Sequence, residues 1–385
     1  MKLSGIELVH VEVPFRQAIG TAAGAHRVRP LLFVRVVADE AEGWGECGAL
    51  ADGTAVDPAL PAVQQAAVDR GVPRLCEATA ARGGELPLAA GVAPLFGSSS
   101  IDRMLAAVFE MAVSDAELRV EGRSLADSLG VTAGFEALPT GAVMGIPEDR
   151  DLAVLRRDVD LAVHGGAARV RLKIEPGWAL EPVRAVRADH PDLVLQGDAN
   201  GSFSAGAEDV AVLSGLADFG ILCIEQPLPP ADLVAHAQLA QLLPVPICLD
   251  ESLSSPRRVR DALRNGACAM ACLKPARLGG VRATRAAHAA CAAAGVPVFI
   301  GGLFEAGLGR AANLALAARL SQDASGLVSD LGDPGDYLAL DPCGYPPVVG
   351  GWVTVPHGPG VGDHPDGPVL EELGARRRWF SATYT

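Results

Sequence analysis

The 385-residue sequence predicts an α/β fold: a (β/α)8-type barrel preceded by a smaller α+β unit. Three observations point there. From residue 141 onward, eight short apolar runs recur, each followed by a polar turn and a helical stretch. Comparable points in these runs fall at 144, 173, 198, 225, 250, 274, 301 and 330, a spacing of about 25 residues, as a βα repeat requires. The composition is 49% hydrophobic but only 4% aromatic, which suits Ala-, Val- and Leu-rich helices packed on a buried parallel sheet.

The elements read in order as follows. Residues 1–50 hold two alternating strands, "IELVHVEVPF" and "LLFVRVVAD", and a short third element in "EGWGECGAL". The segment 51–100 is rich in Ala, Gly and Pro and carries no clear period. A helical pattern then runs through "SIDRMLAAVFEMAVSDAELRVEGRSLADSLG", with Asp102 near its N-terminus. The barrel runs are "GAVMGI", "RVRLKI", "LVLQGDAN", "GILCIEQP", "VPICLDES", "ACLKPA", "PVFIGGL" and "GLVSDL". The first helix is the least distinct, because 147–168 contains "HGG". The tail "GGWVTVPHGPGVG" returns to strand-like, Gly/Pro-rich sequence and is expected to pack on the N-terminal unit. These readings divide the chain into a capping domain (1–125), a barrel (126–335) and a returning C-terminal segment (336–385).

Composition excludes several functions. The net charge of −14 and the lack of a basic patch argue against a nucleic-acid partner. No apolar run reaches the roughly 18 residues of a membrane helix, and the N-terminus reads as a strand, not a signal peptide. The eight cysteines include no CxxC and several sit inside apolar runs. They read as buried hydrophobes in a reducing compartment, hence a cytoplasmic protein. The expected partner is a small carboxylate substrate, and a homo-oligomer is compatible with the sequence.

In such barrels the active site lies at the C-terminal ends of the strands. There the chain places Lys173, then Asp198 followed by Asn200, then Glu225, then Asp250 and Glu251, then Lys274. Three carboxylates on consecutive strand ends repel one another unless a cation joins them. All are hard oxygen donors with no His or Cys beside them at ligand spacing, which favours Mg²⁺ on Asp198, Glu225 and Asp250, with Mn²⁺ as a substitute. The bland alternative is three separate strand-end caps or ion pairs.

In "ARVRLKIEPGW" period two separates Val170, Leu172 and Ile174 from Arg169, Arg171 and Lys173. The apolar set is expected to meet the helices, and Arg171 and Lys173 to enter the lumen. Neighbouring positive charge and partial burial favour a neutral Lys173 amine, which is a competent general base. Strands two and six stand opposite in the ring, so Lys274 should face Lys173. A metal-held substrate carboxylate between them suits enediolate formation after α-proton loss.

With Lys173 in "RLKIEPGW", Asp198 in "GDAN", Glu225 in "IEQPL", Asp250 in "LDES" and Lys274 in "LKPARLGG", the chain resembles the muconate lactonizing subgroup of the enolase superfamily. "PFRQAIGT", "EGWGEC", "FEMAVSDAEL", "GGLFEAGLGRAANLALA" and "HGPGVG" are similar to the o-succinylbenzoate synthase / N-succinylamino acid racemase family. The resemblance covers most of the chain and is weak across 51–100. It implies a (β/α)7β (TIM-like) barrel under an α+β capping domain, Mg²⁺ on the three carboxylates, and Lys173 and Lys274 as acid/base residues. It implies a loop around Gly20 and Thr21 over the substrate. Arg171, Asn200, Glu251, Arg277, Gly302, Glu305 and Thr21 are the candidates for supporting the site or touching substrate.

Three positions depart from the family pattern. Lys-x-Lys on strand two is here Arg171-Leu172-Lys173, Val143 stands where strand one usually offers a small polar group, and Gly197 precedes Asp198. No histidine ends strands six or seven, which argues against a mandelate racemase-like site, and Asp330 and Asp333 lack the Asp-x-Asp spacing of dipeptide epimerases. The implied activity is o-succinylbenzoate synthesis by syn dehydration in menaquinone synthesis, with N-succinylamino acid racemisation as the near alternative. A Schiff-base aldolase using either lysine and a non-catalytic binding barrel are the more distant readings.

Overall fold

The computed structural model describes residues 1–21, 24–132, 134–323 and 326–382, with the side chains of 19–25 outside the description. An antiparallel four-stranded sheet runs in the order Arg376–Ser381, Leu3–Thr21, Gly24–Ala38, Glu42–Glu46. Alternation gives it two apolar faces. Ile6, Leu8, Leu32, Val34 and Val36 pack with Leu105, Val108, Phe109 and Ala112 of the helix Ser100–Glu121. Val9, Val11, Val13, Leu31 and Phe33 join the barrel's own core. The two glycines of "EGWGEC" are required by close approach: a Cβ at Gly43 or Gly45 would lie 2.1 Å from the carbonyl of Ala112 or Val108.

The segment without a clear period holds a helical run. It comprises Leu60–Ala66, a π turn at Ala67–Gly71, and Val72–Ala80. Leu60, Val63, Ala67 and Leu75 are buried there. Its Ala-rich exposed face gave too little contrast for a period to stand out.

Seven parallel strands form the barrel sheet in sequential order. They are β1 (Gly141–Met144), β2 (Arg169–Lys173), β3 (Val194–Asp198), β4 (Ile224–Glu225), β5 (Ile247–Leu249), β6 (Met270–Leu273) and β7 (Val298–Ile300). The first helix is present at Leu152–His164, started by the Asp151 side chain accepting from the Ala153 and Val154 amides. The eighth apolar run forms isolated bridges where a regular strand was expected. Gly326 bridges Val298 on one side and Ser329 bridges Thr140 on the other, so the ring closes.

The tail divides. Trp352–Thr354 pairs with Ala137–Pro139 at the entrance to the barrel, not with the N-terminal sheet. Further on, the Val361 amide donates to Asp115 and the Gly362 carbonyl accepts from Arg119, both on the helix Ser100–Glu121. Strand Arg376–Ser381 then pairs with residues 5–10. All eight cysteines are free thiols, seven of them buried. Among the described residues no helix is long and apolar enough to cross a membrane.

Candidate active site

On β2, Val170, Leu172 and Ile174 are buried in the apolar core shared with the helices, and the three cations turn into the lumen. Lys173 Nζ lies 2.7 Å from Asp198 Oδ2 and 2.6 Å from Asn200 Oδ1. Register explains this: Lys173 on β2 stands level with Asp198 on β3, and Asp198 with Glu225 on β4. Below, Arg171 Nη1 donates to both oxygens of Glu225, Nη2 reaches Asp330 at 2.7 Å, and Asp198 is 3.5 Å away. Lowest, Arg169 pairs with Asp330 at 2.6 Å and lies 4.4 Å from the Phe299 ring centroid.

The second lysine has its own partner. Lys274 Nζ is 2.8 Å from Asp250 Oδ2, and Arg277 Nη1 is 2.5 Å from Asp250 Oδ1. Arg277 in turn forms a two-pronged pair with Asp57, at 2.8 and 2.6 Å, joining the barrel mouth to the segment before the helix Leu60–Ala66. β2 and β6 are separated by β3, β4 and β5 in the sheet, so the two lysines approach from opposite sides.

Backbone geometry turns the strand ends over the site. Asn200 and Gln226 follow Asp198 and Glu225 with φ of +44° and +39°, a conformation that costs energy for residues with a Cβ and persists where surroundings impose it. Gln226 is held by five contacts of its buried amide. Its oxygen accepts from the Asp250 and Ser252 amides, and its nitrogen meets Leu228, Ser252 and His236. Asn200 Nδ2 donates to Glu251 at 2.9 Å.

Charge at this depth is strongly perturbed. Burial, reinforced by Asp198 and Asp250, pushes Glu225 up to about 8 against the pull of Arg171. Burial opposes ionisation of Asp250, yet Lys274 and Arg277 hold it below the usual carboxylate range. Burial and the charges of Asp250 and Asp198 raise Glu251. Lys274 is raised despite burial, because Asp250 faces it. A neutral amine is therefore not the resting form of Lys274. Arg171, expected to act on Lys173 as a bare neighbouring cation, is instead neutralised by Glu225 and Asp330.

The donor set fits a hard divalent cation. Asp198, Glu225 and Asp250 are at most 1% exposed, Glu225 is raised by its acidic neighbours, and Glu251 Oε2 is buried without a hydrogen-bond partner. Among the described residues, the group whose donor atoms all lie within 4.8 Å of one another is Glu225, Asp250 and Cys272. Asp198 is paired with Lys173 at 2.7 Å.

Asn200, Glu251, Arg171 and Arg277 thus adjoin the centre. Gly302 and Glu305 belong to a neighbouring cluster: a Cβ on Gly302 would lie 2.7 Å from Glu305 Oε2 and 3.2 Å from Arg310. The Thr21 side chain lies outside the described residues; the backbone at Gly20 and Thr21, where a loop was expected, is the end of a strand paired with Ala25 and Gly24. Val143 is 41% exposed and level with Arg171. The sequence reading did not single out Asp57, Gln226 or Gln196, whose amide donates to Glu225, and it weighed Asp330 only as half of an Asp-x-Asp pair. Gln196 was legible, two residues before Asp198 on the same luminal face.

A barrel whose mouth gathers three carboxylates between two lysines, under an α+β cap, is equipped to hold a cation and to move a proton beside it. The comparisons specify the class of protein. Residues 154–369 match the family model described as enolase C-terminal domain-like. An N-succinylamino acid racemase from Amycolatopsis sp. is 39% identical, covering 99% of this chain and all of that one. An o-succinylbenzoate synthase from Geobacillus kaustophilus is 31% identical, covering 98% and 97%. The crystal structure of an enolase superfamily member from Listeria innocua superposes with a TM-score of 0.89 at 30% identity, covering all of both chains. The chain belongs to the enolase superfamily.

Proposed function

We propose that this protein is an o-succinylbenzoate synthase, dehydrating a succinyl-bearing cyclohexadiene carboxylate by syn elimination, in the cytoplasmic synthesis of menaquinone. The observation that carries the reading is the unequal footing of the two lysines. Lys274 is enclosed between Asp250 and the barrel wall and stays cationic, the state needed to stabilise negative charge developing on the substrate carboxylate. Lys173 is 29% exposed at the mouth and, among the described residues, bonds to Asp198 and Asn200.

Lys173 Nζ takes the α-proton. The C–O bond on the same face then breaks, and the same nitrogen returns that proton to the departing hydroxide, which leaves as water. Nζ must first leave Asp198, and Asn200 offers it a second anchor. Asp198, Glu225 and Asp250 would hold a divalent cation, Mg²⁺ with Mn²⁺ as substitute, which neutralises the charge left on the substrate carboxylate. Arg277, tied to Asp57, keeps Asp250 in place.

A second reading is N-succinylamino acid racemisation at the same site. It is supported by the 39% identity to the Amycolatopsis enzyme of that name and by lysines on opposite sides of the centre. Purified protein assayed side by side with the cyclohexadiene carboxylate and with N-succinyl amino acids separates the two. Measurable dehydration supports the leading reading, and racemisation without dehydration replaces it with the second.

A further inference from the structure

The two lysines are held by different parts of the molecule. Lys173 ends β2 inside the ladder, level with Asp198 of β3. On β6 the ladder stops at Leu273, opposite Ile300. Lys274 is the next residue. It opens the short helix Pro275–Leu278, where its carbonyl accepts from the Leu278 amide. The place of Lys274 therefore depends on how the segment that follows it is held.

That segment is gripped by the cap. Arg103, Ala107 and Glu110 of the helix Ser100–Glu121 stand at i, i+4 and i+7, which makes them one stripe along its surface. Arg103 Nε donates to the Arg277 carbonyl at 3.0 Å. Two turns further on, Glu110 Oε1 accepts from the Arg282 amide at 3.1 Å. Arg282 lies in the first turn of the helix Val281–Ala293, whose own N-cap, Gly280, has no side chain to offer. Glu110 supplies, from another element, the acceptor and the negative charge that a helix start favours. Between the two grips the chain passes close to the cap helix. Gly280 has φ of +111°, and a Cβ there would lie 2.3 Å from Glu110 Oε2 and 3.5 Å from the Ala107 Cα. Glu110 is 2% exposed. Burying a carboxylate is costly, and the bond to Arg282 offsets part of that cost.

We propose that Glu110, assisted by Arg103, is a positioning residue for Lys274: the capping helix sets the placement of the second lysine, while the barrel sheet sets that of Lys173. This rests on the reading of the two lysines as the groups that address opposite faces of the substrate. Without the grip, the start of the helix Val281–Ala293 shifts and carries the Lys274 end of the segment with it. Arg277 stays tied to Asp57 and Asp250 through its side chain, so the segment moves without coming away. A displacement of about 1 Å costs on the order of 10²-fold in rate. That loss falls on the Lys274 face of the α-carbon and spares the Lys173 face.

The full chain is compared with Glu110→Ala, Glu110→Gln and Arg103→Met by two readouts. In amide hydrogen exchange followed by mass spectrometry, Glu110→Ala should speed exchange across 278–284 on the order of tenfold, the effect of leaving one buried donor unpaired, with β2 unchanged. In D₂O with N-succinyl amino acids, the enantiomer whose α-proton exchange Lys274→Ala stops should slow by roughly 10- to 100-fold, and the other should keep the wild-type rate. Arg103→Met should show the same pattern more weakly. Glu110→Gln, whose side-chain oxygen still accepts from Arg282, should restore both readouts. Unchanged protection across 278–284 in Glu110→Ala and Arg103→Met overturns the proposal. So does lost protection that leaves both enantiomers unaffected, or that slows both equally, as a merely structural role would. Should Glu110→Ala not fold, Arg103→Met gives the same decision. A wild type that exchanges neither enantiomer refutes the reading of the lysines, and the amide exchange then decides the grip by itself, so the two failures are distinguishable.

Discussion

Arg171 Nη1 donates to both carboxylate oxygens of Glu225, at 2.8 and 2.9 Å, while its other terminal nitrogen reaches Asp330. One planar guanidinium thus ties the end of β4 to the segment that closes the ring. A lysine could not bridge two carboxylates in this way.

Replacing Arg171 by Met should leave Glu225 and Asp330 as buried charges without their shared cation. Removing one partner of such a pair costs about 3–5 kcal/mol. Urea denaturation should show that loss, and the double variant Arg171→Met/Glu225→Gln should recover a large part of it, because Asp330 keeps Arg169 as its partner. An unchanged midpoint in the single variant would mean that the carboxylates find other partners.

Asp198→Asn should weaken Mn²⁺ binding and abolish turnover, because it removes one of three charged donors and the partner of Lys173 together. Calorimetric titration with Mn²⁺ measures the first effect. Unchanged affinity would place the ion away from Asp198.

The two lysines should address opposite faces of one α-carbon. With N-succinyl amino acids in D₂O, Lys173→Ala should stop exchange for one enantiomer and Lys274→Ala for the other, read by proton NMR. For the dehydration, Lys173→Ala should abolish turnover. Lys274→Ala should lower it by roughly 10²–10³, the effect of losing one stabilising charge. Exchange of both enantiomers in each variant would contradict the opposed arrangement.

Stability should fall as pH rises from 5 to 8 through two buried glutamates where cap and barrel meet. Glu110 caps the helix Val281–Ala293 through the Arg282 amide, and burial pushes it up from 4.5 to about 7. Glu46 accepts from the Ala306 and Gly309 amides, and burial with Glu305 pushes it to about 8. The folded state holds these protons more tightly than the unfolded chain. The stabilisation is therefore complete below the unfolded value of 4.5 and lost as pH climbs through the folded ones. For Glu110 the swing is on the order of 3 kcal/mol. Melting temperatures across this range should drop less steeply in Glu110→Gln, and an identical slope would remove Glu110 as a cause.

The sequence by itself determined the repeat, the faces and the centre. Period two within β2 is a local property of the chain, so it assigned Lys173 and Arg171 to the lumen and Ile174 to the helices without reference to any other element. Each strand ends where its apolar run ends, and that placed Asp198, Glu225, Asp250 and Lys274 at one mouth. Only the tertiary structure decided which charges meet. Asp57 finds Arg277 across 220 positions, and Asp330 meets two arginines because the eighth run closes the ring by bridges. The partner of a buried charge depends on how the ring closes and where the cap docks, and no periodicity along the chain carries that information.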